Sequence, residues 1–171
     1  LEGYTNFISI NGTAEDTTLN NDSIDVIVCG QAFHWFDMEK CKKEFMRIIK
    51  RDGYVVLMWN ERNTKNSQLL SDYENLIKKF GTDYDKVCQQ DERVNENIKI
   101  FFDKRGYDVE LIESFQKFDF EGFKGRLLSS SYVPQNNEEM ISELKTLFDR
   151  YQINGEVKFE YHTNIYTGQI K

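Results

Sequence analysis

Ser23-Ile24-Asp25-Val26-Ile27-Val28-Cys29-Gly30, followed at once by Gln31-Ala32-Phe33-His34-Trp35-Phe36-Asp37, is the stretch that decides the fold. Ile24 to Cys29 is a short apolar run broken only by Asp25. Such a run suits a strand covered on both faces, as in a parallel sheet. The polar and aromatic cluster behind it holds one of the chain's two histidines and one of its two tryptophans. In an open α/β sheet, ligands bind where strands end and loops begin. An acidic loop, Gly12-Thr13-Ala14-Glu15-Asp16, lies upstream, joined by the turn cluster Asn20-Asn21-Asp22-Ser23.

Working outward, Asp37 is placed to cap a helix with Glu39 in its first turn. Cys41, Phe45, Ile48 and Ile49 then recur at helical spacing, and Arg51-Asp52-Gly53 reads as the helix stop. Tyr54-Val55-Val56-Leu57-Met58-Trp59 is the strongest strand signal. Strand, helix, turn and strand make a βαβ unit. Upstream, Thr5 to Asn11 is rich in β-branched and aromatic residues and reads as a strand ending at Gly12.

Farther on, helices are expected over Ser67 to Phe80, Asp91 to Lys104 and Glu138 to Tyr151, with a short helical piece from Gly122 to Leu128. Tyr107 to Phe120 reads as a strand. Lys158 to Ile165 alternates apolar and polar side chains, which predicts an antiparallel strand near a sheet edge. No repeat, linker or low-complexity tract divides the chain, so one α/β domain over residues 1–171 is expected.

Composition narrows the function classes. A chain of 171 residues, 39% apolar with 13 Phe and 9 Tyr, has enough apolar mass for a core. A net charge of −7 and a pI near 5.0 argue against a nucleic-acid surface. No apolar run approaches the roughly 20 residues that span a bilayer, so no membrane partner is expected. Cys29, Cys41 and Cys88 are odd in number and widely spaced, so the reading is a reduced, cytoplasmic protein with no metal site. The start at Leu1, inside a polar stretch, reads as a fragment of a longer chain.

The quoted segments resemble the class I methyltransferases that use S-adenosylmethionine, most of all the small-molecule branch that includes trans-aconitate methyltransferase. The resemblance is carried by Gly12 to Asp16, Ser23 to Val28 and Gln31 to Asp37. It continues through Glu44 to Leu57, which looks like the helix, turn and fifth strand of that family, and through Gly125 to Tyr132. It implies a Rossmann-like methyltransferase fold with a mixed sheet and an antiparallel last strand. It also implies an incomplete one, because the ten glycines contain no Gly-x-Gly pair. The family's first two strands and Gly-rich loop, where backbone N–H groups meet the methionine part of the cofactor, have no counterpart here.

The resemblance assigns roles residue by residue. Thr13, Ala14 and Glu15 fall in the adenine loop. Gln31, Ala32, Phe33 and Trp35 fall beside the sulfonium, whose charge suits aromatic faces. His34 is a candidate base or positioning group, since imidazole titrates near neutral pH. Trp59, Asn60, Arg62 and Tyr132 are candidate small-molecule substrate contacts, and Arg62 and Arg126 suit a carboxylate. His162 reads as surface. The expected activity is methyl transfer to a small molecule, with S-adenosylmethionine held weakly or not at all. The alternative is a non-catalytic interaction module, or a homodimer, assembled through exposed sheet edges.

Overall fold

The computed structural model describes residues 3–82 and 96–171. In chain order the elements are β1 (Ile24–Gly30), a 3-10 turn (Phe33–Trp35), α1 (Met38–Ile48), β2 (Ile49–Arg62) and α2 (Gln68–Phe80). Then come α3, described over residues 96–102, a 3-10 turn (Asp103–Arg105), β3 (Asp108–Phe118), α4 (Phe120–Leu128), α5 (Glu138–Tyr151) and β4 (Val157–Gly168). The strands form one mixed sheet in the order β1-β2-β4-β3, with β1 and β2 parallel and the other pairs antiparallel. The α/β class and the antiparallel last strand agree with the sequence reading. The start of the helix expected from Asp91 lies outside the described residues.

Contacts gather the chain into two compact units. One comprises Leu1–Met58, Val94–Val109 and Tyr166–Lys171; the other comprises Trp59–Arg93 and Glu110–Ile165. In the first, Asp37 caps α1 by accepting the Lys40 N–H. The buried face of α1 supplies Cys41, Phe45 and Ile48, and the strands supply Cys29, Val55 and Leu57. Phe101 of α3 is the centre of an aromatic cluster. Its ring meets Phe33 at 5.0 Å, Phe102 at 5.3 Å and Phe45 at 6.1 Å, all edge-on, the geometry that the ring quadrupole favours.

In the second unit α5 packs on α2 and α4. Ser67, Asp119 and Asn137 cap α2, α4 and α5 with side-chain oxygens. The core there is Leu69, Leu70, Tyr73, Leu76 and Ile77 from α2, Phe123 and Leu127 from α4, Met140 to Phe148 from α5, and Val157, Phe159 and Tyr161 from β4.

Four expectations are corrected. Residues 5–11 form no strand; the Phe7 N–H donates to the Tyr4 carbonyl in a turn, and Phe7, Ile8 and Ile10 are exposed. A strand exists only through a ladder with a neighbour, and no described strand lies beside this segment. β1 is not covered on both faces: it is an edge strand, and Val26 and Val28 are 51% and 57% exposed. Arg51-Asp52-Gly53 does not stop the helix; α1 ends at Ile48, and these residues enter β2 through an irregular register. β4 is an interior strand, and the edge position belongs to β3.

Candidate functional site

The site is best built from the loop between Gly12 and Ser23, which α1 holds against the first unit. Glu44 is 7% exposed. Its Oε1 accepts the Thr17 N–H at 2.9 Å and the Thr17 hydroxyl at 2.6 Å. One turn on, Arg47 donates Nε to Glu44 Oε2 at 2.8 Å and Nη2 to Oε1 at 2.7 Å. The same guanidinium donates Nη1 to the Leu19 carbonyl and to Asn21 Oδ1, both at 2.7 Å. Fork-shaped pairing of this kind is the strong class of charge-assisted bond. The Arg47 guanidinium and the two Thr17 donors hold the Glu44 carboxyl down to about 2, against the desolvation that would raise it. Thr18, between the two clamped residues, sits at φ 61°, a strained position for a β-branched residue.

The clamp presents the acidic turn. Thr13 and Asp16 bridge each other, and the Asp16 N–H also bonds Thr13 Oγ1 at 3.2 Å. Gly12 is required by the closeness of this turn, because a Cβ there would stand 2.9 Å from the Asp16 carbonyl oxygen. Glu15 reaches out of the turn and accepts the Asp37 N–H at 2.9 Å. That bond keeps the Glu15 carboxyl below its ordinary range. Thr13, Ala14 and Glu15 are therefore joined to the end of the Gln31–Asp37 segment, two sequence candidates that lie 22 residues apart at this bond.

Gln31 leaves β1 in the left-handed region at φ 53°, and its N–H donates to the Met58 carbonyl at 2.9 Å. A non-glycine residue in that region stores strain of about 1–3 kcal/mol, and such residues cluster at working sites. Ala32 stands before the 3-10 turn and is half-buried. Phe33 is 3% exposed and packs edge-on with Phe36 and Phe101, so its ring is a core element. His34 is half-buried with its Nδ1 out of solvent. Its ring lies 4.8 Å from that of Trp35, which is 67% exposed.

The remaining candidates belong to the second unit. Trp59 is buried and Asn60 is exposed, with Asn60 Oδ1 accepting the Thr163 hydroxyl at 3.1 Å. Arg62 donates Nη2 to Glu74 Oε2 at 2.8 Å, with both side chains about 15% exposed. It also bonds Tyr132, so two residues singled out in the sequence meet in space. Its guanidinium carbon lies 5.9 Å from the Tyr73 ring. Arg126 of α4 donates Nε to the Tyr161 hydroxyl and Nη1 to Ser129 Oγ, each at 3.3 Å. His162 is 27% exposed, with Nε2 3.7 Å from Glu113 Oε1.

Sequence reasoning passed over Glu44, Tyr73 and Tyr161. Glu44 stands three residues before Arg47 on α1, the spacing at which helical ion pairs meet, but nothing local told that the pair would be buried against a distant loop. Tyr73 and Tyr161 sit in apolar stripes that read as core. Among the described residues no cluster of three or more His, Cys, Asp or Glu is placed to hold a metal ion, and no helix is long and apolar enough to cross a membrane. Cys29 and Cys41 are buried thiols, raised by desolvation to about 11 and about 12.

Comparison with known proteins places these loops. Residues 3–57 match the family model described as a methyltransferase domain. The chain is 42% identical over 65 residues to an uncharacterised methyltransferase of Schizosaccharomyces pombe, which is 34% of this chain and 26% of that protein. It is 33% identical over 58 residues to an uncharacterised methyltransferase of Mycobacterium tuberculosis, which is 34% of this chain and 24% of that protein. The matched segments thus span about a quarter of those relatives. In three dimensions, 93% of this chain aligns with 70% of a structure from Anaeromyxobacter dehalogenans assigned as a type II methyltransferase, with a TM-score of 0.67 at 17% identity. The sequence match covers the acidic turn, the loop after β1 and the parallel strand pair up to Leu57, and the structural match extends over 93% of the chain. Residues 3–57 thus resemble a methyltransferase domain, and the fold is that of the Anaeromyxobacter dehalogenans structure.

Proposed function

We propose that this chain carries part of an S-adenosylmethionine-dependent methyltransferase acting on a small molecule. The observation that supports it most is the Glu15 bond to the Asp37 N–H. It ties the acidic turn to the loop that leaves the carboxyl end of β1, where α/β sheets place their ligands. When bound, the cofactor supplies an electrophilic methyl on a sulfonium. The residues present fit part of that group. Glu15 is an ionised, half-buried acceptor suited to an amine, and the exposed Trp35 face, backed by His34, suits a cation. His34 positions the acceptor or takes its proton. The barrier falls mainly through alignment of donor and acceptor.

The 171 residues hold no Gly-x-Gly loop, so cofactor affinity rests on these contacts alone. Titration with S-adenosylhomocysteine, followed by backbone amide NMR, is expected to shift Thr13 to Glu15 and Gln31 to Trp35 in the weak regime of about 1 mM, roughly 4 kcal/mol of binding. Saturable shifts confined to other residues would sink the assignment. Micromolar affinity would overturn the weak-binding part.

The exposed β1 edge supports a second, compatible reading, a homodimer. Val26 and Val28 stand exposed on a strand with one side unpaired among the described residues, and such edges recruit other strands. Mass measured by light scattering is expected to rise with concentration and to stay monomeric in Val26→Lys. A strict monomer throughout would refute edge pairing.

A further inference from the structure

Three arginines are partly buried among the described residues: Arg47, Arg62 and Arg126. Arg47 is paired with Glu44 and Arg62 with Glu74. Arg126 makes no ion pair among the described residues, only two hydroxyl contacts of 3.3 Å, to Tyr161 and Ser129. A partly buried guanidinium without a counter-charge is costly, and more so to explain in a chain of net charge −7, where carboxylates are plentiful.

A second observation lies next to it. Tyr73 is fully buried, and its hydroxyl has no hydrogen-bond partner among the described residues. Tyr73 packs between Phe123 and Phe159 at 5.2 and 5.0 Å, so the hydroxyl is an orphan donor at the edge of an aromatic core. Orphans of this kind are rare and call for an explanation. Burial raises its ionisation well above the ordinary phenol range, while Arg126 and then Arg62 act to lower it. The Arg62 guanidinium carbon lies 5.9 Å from the Tyr73 ring, and Phe123, three residues before Arg126 on α4, packs against the same ring, so both cations stand near the hydroxyl, which stays protonated and remains a donor. Tyr132 is already bonded to Arg62, and the Arg62–Glu74 pair is internally neutral. Among the described residues the cluster thus carries one uncompensated positive charge and several hydroxyls.

We propose that Arg126, with the Tyr73 and Tyr161 hydroxyls, anchors a small oxyanion, a carboxylate or phosphate carried by the methyl acceptor. Arg62, the other arginine suited by its chemistry to that role, is a positioning residue: its charge is spent on Glu74, and it orients Tyr132. The anchor rests on the methyl-transfer reading only for the statement that the acceptor carries the anion; the anion site itself needs no cofactor.

The test uses the whole chain at low ionic strength, titrated separately with inorganic phosphate and with succinate. Arginine Nε–Hε NMR resonances report the site. The Arg126 resonance is expected to shift saturably with at least one anion. Arg126→Gln is expected to weaken binding about tenfold or more, as loss of a charge-assisted bond requires, and Arg126→Lys to retain part of it. Tyr73→Phe is expected to weaken binding while raising the melting temperature, because it removes the orphan hydroxyl. A Tyr73 with only a packing role would raise stability and leave binding unchanged. Arg150→Gln, on the surface, is the control that binds normally. Saturation by phosphate alone or by succinate alone identifies the anion class. Absence of a saturable Arg126 shift with both anions up to about 10 mM, beyond the millimolar range of one such pair, overturns the proposal. So does equal binding by wild type and Arg126→Gln. Anion binding that persists when S-adenosylhomocysteine leaves the loops unshifted would sink the methyl-transfer reading and spare the anchor.

Discussion

Glu44→Ala is expected to lower the unfolding free energy by roughly 2–4 kcal/mol, because it strips the acceptor from three donor groups at once. The Thr17 N–H, the Thr17 hydroxyl and the Arg47 guanidinium all converge on this carboxylate. The figure sits below the top of the range for buried pairs because the Arg47 side chain is 36% exposed and can turn to water, whereas the Glu44 side chain is 8% exposed. Urea midpoints of wild type and variant measure it. The damage should be local first: amide exchange of the Gly12 to Ser23 loop should rise before that of β2. The acid limb gives an independent check. The folded carboxyl is held to about 2, from 4.5 in the free residue. Its contribution is therefore complete above about 4.5 and is lost as pH falls toward 2. Glu44→Gln should flatten stability against pH in that window alone. A variant as stable as wild type at neutral pH would mean that the loop does not depend on the clamp.

The parts of this fold that were legible in the sequence are those set by local chemistry. The cap Asp37, and the apolar stripes of α1, α2 and α5, mark helices to within a residue or two, because each is complete within its own segment. Tyr54 to Trp59 was legible as strand for the same reason. What was not legible depends on partners distant in the chain. Thr5 to Asn11 has strand composition and no ladder. Ile24 to Cys29 has the apolar content of a doubly covered strand and leaves Val26 and Val28 in water. The site followed the same division. Its loop residues were singled out by resemblance, and Gln31 to Trp35 do follow a strand whereas Thr13 to Glu15 do not. The pairing of Glu15 with Asp37, the meeting of Arg62 with Tyr132, and the lack of a carboxylate partner for Arg126 among the described residues were not readable from spacing. Tyr73 was hidden most completely, since an orphan hydroxyl in an apolar stripe has the same pattern as a core phenylalanine.

Gly53→Ala is the other large effect, with an expected loss of about 2–3 kcal/mol, the upper part of the overpacking range. The reason lies in the β1–β2 ladder. Ile24 pairs with Ile49, yet Val26, two residues on, pairs with Tyr54, so β2 inserts extra residues at Arg51 to Gly53. At that irregularity an alanine Cβ would lie 2.5 Å from Ile49 Cγ1 and 2.8 Å from the Asp25 carbonyl oxygen. Ile49 is fully buried and Asp25 O is backbone, so neither yields by turning a flexible side-chain end. Relief requires β1 to move away from β2, and the ladder continues from Val26↔Tyr54 to Gly30↔Met58, one residue before the Gln31 N–H bond to the Met58 carbonyl. The substitution should therefore also disturb the loop that leaves β1, visible as shifts at Gln31 and His34. Gly125→Ala is the matched control. Gly125 lies inside α4 with nothing within 4 Å of a Cβ, so alanine there should stabilise by about 0.5–1 kcal/mol. If both substitutions stabilise alike, the strand pair accommodates the extra carbon, and the left-handed Gln31 is set by its own loop and not by the register behind it.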